Sequence, residues 1–164
     1  MRLAFKEDTF PMVWEEHVRY WEPNTPVDPD FVFPLHWSVV DRKGDAIVIE
    51  YTSEGRRIHE NEVGVMTNSP TYDWHQTNLK TYINVQNTGF PAKHYTRHDK
   101  EYTIKPFGLG TGFLGLPGDF TSPSRFIRTA AMLRFSGDAI DAKHGVLKAL
   151  HILNSVDITH GKLY

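Results

Sequence analysis

With 164 residues and a 40% apolar share, the chain is long enough to bury a real core and is neither disordered nor fibrous. Its 18 basic and 20 acidic residues are interspersed and leave a formal charge of −2, so no long-range field marks nucleic acid or an anionic membrane as a partner. The chain has no cysteine, which removes disulfides, thiolate metal sites and any cysteine nucleophile from the chemistry of these residues.

In chain order, residues 1–34 are irregular by composition. A short helix is possible from Trp14 to Trp21, and "EPNTPVDPDFVFP" then brings four prolines, a segment that wraps or links more than it builds a core. The opening residues lack a signal peptide's apolar core, and no apolar run approaches the roughly 20 residues that span a bilayer, so location stays open. From Leu35 the pattern changes. "LHWSVVD", "AIVIEYT", "RRIHE" and "EVGVMTN", separated by "RKGD" and "SEG", predict antiparallel strands over about 35–68. Weak alternation in 35–40 predicts burial on both faces. "NSPTYDW" and "TSPSRFI" each place a serine before a proline, Ser69-Pro70 and Ser122-Pro123. Serine as N-cap and proline in the first turn predict helices over about 70–86 and 122–135, the second with Phe126, Ile127, Ala130, Ala131 and Arg134 spaced for one face. A third is expected over about 138–156, with Ile140, Val146, Leu147, Leu150 and Leu153 as its stripe. The loop between the first two, more than about 30 residues, is long enough to carry function.

Several constellations invite chemistry. "GTGFLG" (Gly110, Gly112, Gly115) spells a dinucleotide fingerprint, but Pro117-Gly118 follows where a helix should start, so a glycine-rich loop is the better reading. His94, His98 and Asp99 in "HYTRHD" offer ligands without a helix to preorganise them, which favours a solvated loop over a metal site. His36 and His75, beside Trp37 and Trp74, read as core or interface histidines rather than catalysts. A serine triad from Ser122 or Ser124, a histidine and Asp119 lacks any G-x-S-x-G elbow. Asn68 and Arg125 stand apart. Each adjoins a Ser-Pro helix start, so both can be held rigidly near one cleft, where an amide donates to an oxyanion and a guanidinium supplies fixed charge. From spacing alone, a turn asparagine and a surface arginine explain them as well.

Longer blocks decide between these readings. "VMTNSPTYDWHQTNLKTYINV" and "GLPGDFTSPSRFIRTAAM", preceded by "PLHWSVVDRKGDAIVIEYT", resemble the choloylglycine hydrolase family of conjugated bile acid hydrolases and penicillin V acylases. The resemblance runs from about Phe33 to Asp157. It implies an α+β fold, part of the four-layer αββα sandwich of N-terminal-nucleophile hydrolases, that cleaves linear, non-peptide amide C–N bonds. It implies an N-terminal cysteine whose α-amino group is its base, asparagines that stabilise the oxyanion, and an arginine and an aspartate that tune the thiol. Asn68 aligns with the asparagine of the Thr-Asn-x-Pro block and Arg125 with the arginine of the Ser-Arg block; these two are the expected catalytic residues, with no cofactor and no metal.

The family's cysteine, its upstream aspartate, arginine and second asparagine, and its C-terminal strands have no counterpart here. The chain is therefore expected to be one incomplete domain, with 1–34 as lead-in and 35–164 as the central part, inactive alone and with apolar surface exposed. The complete protein is expected to be a homo-oligomer acting on a small-molecule acyl amide of the bile salt, penicillin V or acyl-homoserine lactone type. Alternatives are a non-catalytic acyl-amide binder, or one subunit of a heteromer whose partner brings the nucleophile. Phe90, Tyr95, Phe107 and Phe113 would suit a planar acyl group or could equally be packing.

Overall fold

The computed structural model describes residues 35–158, all within one compact unit, Pro34–Tyr164. The possible helix at 14–21 and the proline-rich lead-in lie outside the described residues.

The fold class is α+β. Three strands, β1 (His36–Val40), β2 (Ala46–Thr52) and β3 (Gly55–Glu60), form an antiparallel meander in that order, with His36 opposite Glu50 and Ile49 opposite Ile58. The first turn closes because the Asp41 carboxylate accepts from Lys43 N and Asp45 N while Gly44 supplies a φ of 94°. Burial on both faces does not hold for β1, where Ser38 and Val40 are exposed and the other three residues are half-buried.

The expected fourth strand, "EVGVMTN", is absent. Asn61 ends the sheet: its Oδ1 accepts from Gly64 N at 2.9 Å and from the Tyr72 hydroxyl at 2.7 Å, and Gly64 sits at φ 72°. A side chain that satisfies the turn's backbone competes with the ladder and wins here. Val65 still reaches the core from an irregular segment, so Asn68 stands at the end of that segment, not at a strand tip.

The first helix, α1, spans Tyr72–Leu79 and is followed by a 3-10 turn, Lys80–Tyr82, shorter than the expected 70–86. Neither serine caps. Thr71 and Thr121 hold the N-cap positions, without side-chain cap bonds, and Pro70 lies outside α1. At α1 the buried Glu50 carboxylate takes the vacant role, accepting from Tyr72 N at 2.8 Å, where the helix dipole also favours an anion. The long loop is not all coil: β4 (Lys93–Arg97) and β5 (Lys100–Ile104) pair as an exposed hairpin whose turn residues, His98 and Asp99, have positive φ. Such dihedrals match a two-residue hairpin turn, which accounts for "HYTRHD" without a metal.

Helix α2 (Ser122–Phe135) buries Ser124, Phe126, Ile127, Arg128, Ala130 and Ala131, while Arg134 is exposed. Its core partners are Val48, Val65 and Tyr72. Helix α3 (Ala142–Asn154) starts later than expected because Asp141 caps it, accepting from His144 N at 2.7 Å. Its stripe of Val146, Leu147, Leu150 and Leu153 is exposed. Among the described residues no helix is long and apolar enough to cross a membrane.

Candidate active site

The irregular segment before α1 and the first turn of α2 meet at Asn68 and Arg125. Arg125 Nη2 donates to Asn68 Oδ1 at 2.8 Å, and Arg125 Nε donates to Phe120 O at 3.1 Å. Two donors of one planar guanidinium are thus engaged, which a lysine could not reproduce. Because only the amide oxygen can accept from a guanidinium, the bond also fixes which way the Asn68 amide faces. Its Nδ2 has no protein partner among the described residues.

The Asn68 backbone is held as firmly. Asn68 O accepts from His75 Nε2 at 2.9 Å, and Ser122 Oγ lies 2.9 Å from Asn68 O and 3.0 Å from Thr67 Oγ1, its one proton serving one of them at a time. A carbonyl only accepts, so the His75 proton resides on Nε2. That rules out His75 as base for Ser122 through this nitrogen, and no serine triad assembles on Ser122 and His75. His75 is nonetheless more than a core histidine. Buried to 1% and stacked on Phe126 at 4.7 Å, it ties the core to Asn68.

The loop leading into α2 is clamped from the helix side. Arg128 is buried and donates from Nη1 to Pro117 O (2.8 Å) and Asp119 O (2.6 Å), and from Nε to Ser155 O (3.1 Å). Asp119 accepts from Ser124 Oγ at 2.6 Å and from Thr121 N at 2.9 Å. The Ser124 hydroxyl, then that of Thr121, hold the Asp119 carboxyl well below the usual carboxylate range. Both of its oxygens are therefore engaged in shaping the turn that presents Arg125.

Asn68 and Arg125 line a cavity of about 420 Å³ with Thr67, Thr129 and His36, while Leu35, Met66, Leu153 and Val156 supply its apolar side. A polar corner beside apolar walls suits a small ligand with one polar and one apolar part. The aromatics of the long loop are not on it. Phe113 packs edge-on against Phe135, Tyr95 stacks on Tyr102, and Phe107 is fully exposed. The glycines of "GTGFLG" are structural too: Gly110 and Gly115 have positive φ, and Gly112 lies against the backbone of Gln86 and Thr88.

The sequence profile described as "Linear amide C-N hydrolases, choloylglycine hydrolase family" matches residues 22–164. The chain belongs to this family. It is 42% identical over 131 residues to a bile salt hydrolase/transferase of Clostridium perfringens, covering 77% of this chain and 37% of that protein. The crystal structure of a variant of conjugated bile acid hydrolase from Clostridium perfringens superposes with a TM-score of 0.63 at 40% identity, over 77% of this chain and 38% of the other. A penicillin V acylase from Agrobacterium tumefaciens shares the fold, with a TM-score of 0.59 at 22% identity, over 92% and 39%. The chain thus spans about two fifths of the length of these relatives. Its family is one of linear amide hydrolases, and its α+β fold is that of N-terminal-nucleophile hydrolases.

Thr67 and Arg128 escape a reading for catalytic residue types, and Ser122, weighed as a triad nucleophile and as a cap, holds Asn68 O and Thr67 instead. The Thr-Asn-Ser-Pro and Leu-Pro-Gly-Asp blocks enclose Thr67, adjoin Ser122 and include Asp119, and they were the available signal.

Proposed function

We propose that this chain carries the oxyanion side of a linear amide hydrolase acting on small acyl amides, of the bile salt, penicillin V or acyl-homoserine lactone type. In this reading Asn68 Nδ2 donates to the oxyanion of the tetrahedral intermediate, and Arg125 orients and polarises that amide. The 2.8 Å bond from Arg125 Nη2 to Asn68 Oδ1 carries the reading. A charged donor on the amide oxygen draws electron density from the nitrogen and strengthens its N–H as a donor. Because both groups are held before substrate arrives, little reorganisation is needed when the charge develops.

These 164 residues contain no cysteine, so the thiol that the family implies is not among them, and turnover by this chain alone is not expected. The same absence favours a second reading, an acyl-amide binder without catalysis. Residues 1–34 and 35–164 are read as lead-in and central part of one domain, and a homo-oligomer is proposed for the complete protein. The test is hydrolysis of penicillin V and of a glycine-conjugated bile acid, by the 164-residue chain and by the longest reading frame that contains it. Turnover by the long form alone is expected. Turnover by the short chain would overturn the thiol assignment, and binding without turnover by both would establish the second reading.

A further inference from the structure

The packed face of the sheet holds an acid that the amidase site does not use. Glu50 is completely buried, and a carboxylate in such surroundings needs compensation. Its Oε1 has it: Tyr72 N donates at 2.8 Å and His36 Nδ1 lies at 3.2 Å. Its Oε2 has no hydrogen-bond partner, and neither has His59 Nε2, 3.3 Å away and equally shut from solvent. The two atoms stand at ion-pair distance, a pair only if His59 is protonated, yet neither makes a hydrogen bond and neither reaches water. Register explains the meeting: His59 pairs with Val48, which puts it diagonal to Glu50 on the same face.

A spacing of 3.3 Å suits two ligands of one metal ion, since bonds of about 2.1 Å at a tetrahedral angle separate their ends by about 3.4 Å. A third donor is at hand. A carboxylate oxygen of Asp73, in the first turn of α1, joins Glu50 and His59 in a set whose ligand atoms all lie within 4.8 Å of one another. Asp73 is 47% exposed and forms the mouth.

We propose that Glu50, His59 and Asp73 form a site for a divalent transition-metal cation of the zinc type. One imidazole and two carboxylates are a borderline nitrogen-oxygen set, whereas calcium and magnesium call for more oxygens. His36 and Tyr72 N–H, acting through Oε1, turn Oε2 toward His59 and so orient the ligand from behind. Arg57 Nη1, 3.3 Å from Asp73 Oδ2, is the competing cation; Arg57 also pairs with Glu54, so releasing Asp73 does not leave it unpaired.

The test uses the whole 164-residue chain, stripped with chelator and titrated with Co²⁺, whose visible absorption reports coordination directly. One cobalt per chain is expected, with a band displaced by Zn²⁺, lost in His59→Gln and weakened about tenfold or more in Asp73→Asn. His94→Gln should leave it unchanged. Absence of a band, or a band that survives both His59→Gln and Asp73→Asn, would overturn the site. Asp73 is half-exposed, so its variant retains the fold and keeps the test decisive should His59→Gln unfold.

Discussion

The Arg125 guanidinium bonds to the Asn68 side-chain oxygen at 2.8 Å, joining residues 57 apart in sequence. The contact leaves the other end of the amide facing a cavity with apolar walls, and on the proposed function it makes the two residues act together.

Asn68→Ala is therefore expected to lower kcat by about two to three orders of magnitude in the catalytically complete protein, the usual loss for an oxyanion donor, with KM little changed. Steady-state kinetics on penicillin V or a glycine-conjugated bile acid checks this. An unchanged kcat would remove Asn68 from the chemistry.

Arg125→Lys keeps the charge but not the two-point hold on Asn68 and Phe120 O. A misplaced amide should cost about a hundredfold in kcat/KM, while stability, measured by urea unfolding, shifts by less than about 0.5 kcal/mol because both bonds are exposed. Equal losses of stability and activity would make Arg125 a structural residue only.

Asp119 predicts a pH signature. Its carboxyl is held below its ordinary value of 3.8, chiefly by the Ser124 hydroxyl. A depressed folded-state value stabilises the fold above pH 3.8, and that contribution is lost as pH falls further toward the folded-state value. Asp119→Asn should thus be less stable than the parent at pH 7, with the gap closing below that point. A gap independent of pH would mean that the carboxylate's charge plays no part in holding the turn.

Gly112→Ala should destabilise the chain by about 1–3 kcal/mol, since the added methyl would run into the backbone carbonyls of Gln86 and Thr88, which cannot swing aside as a flexible side chain can. Gly118→Ala, which meets nothing within 4 Å, is the control and should change stability by less than about 0.5 kcal/mol. Urea midpoints for the pair decide it, and equal midpoints would mean that the close approach at Gly112 does not constrain the loop.

The sequence by itself determined the elements whose causes are local and the family. Strand-forming runs between turn residues mark β1 to β3, apolar spacing marks the buried face of α2, and the Thr-Asn-Ser-Pro and Leu-Pro-Gly-Asp blocks point to a family of linear amide hydrolases. What depends on a partner far along the chain was decided by tertiary structure. Val63 to Asn68 has strand composition, yet the Asn61 side chain turns it aside with help from Tyr72. Ser122 looks like a cap, but its hydroxyl is drawn to Thr67 and Asn68 across the fold. Propensity and period are sums over neighbours, so they locate helices and strands. A hydrogen-bond partner is chosen by which groups packing brings within about 3 Å, and no window of sequence contains that distance.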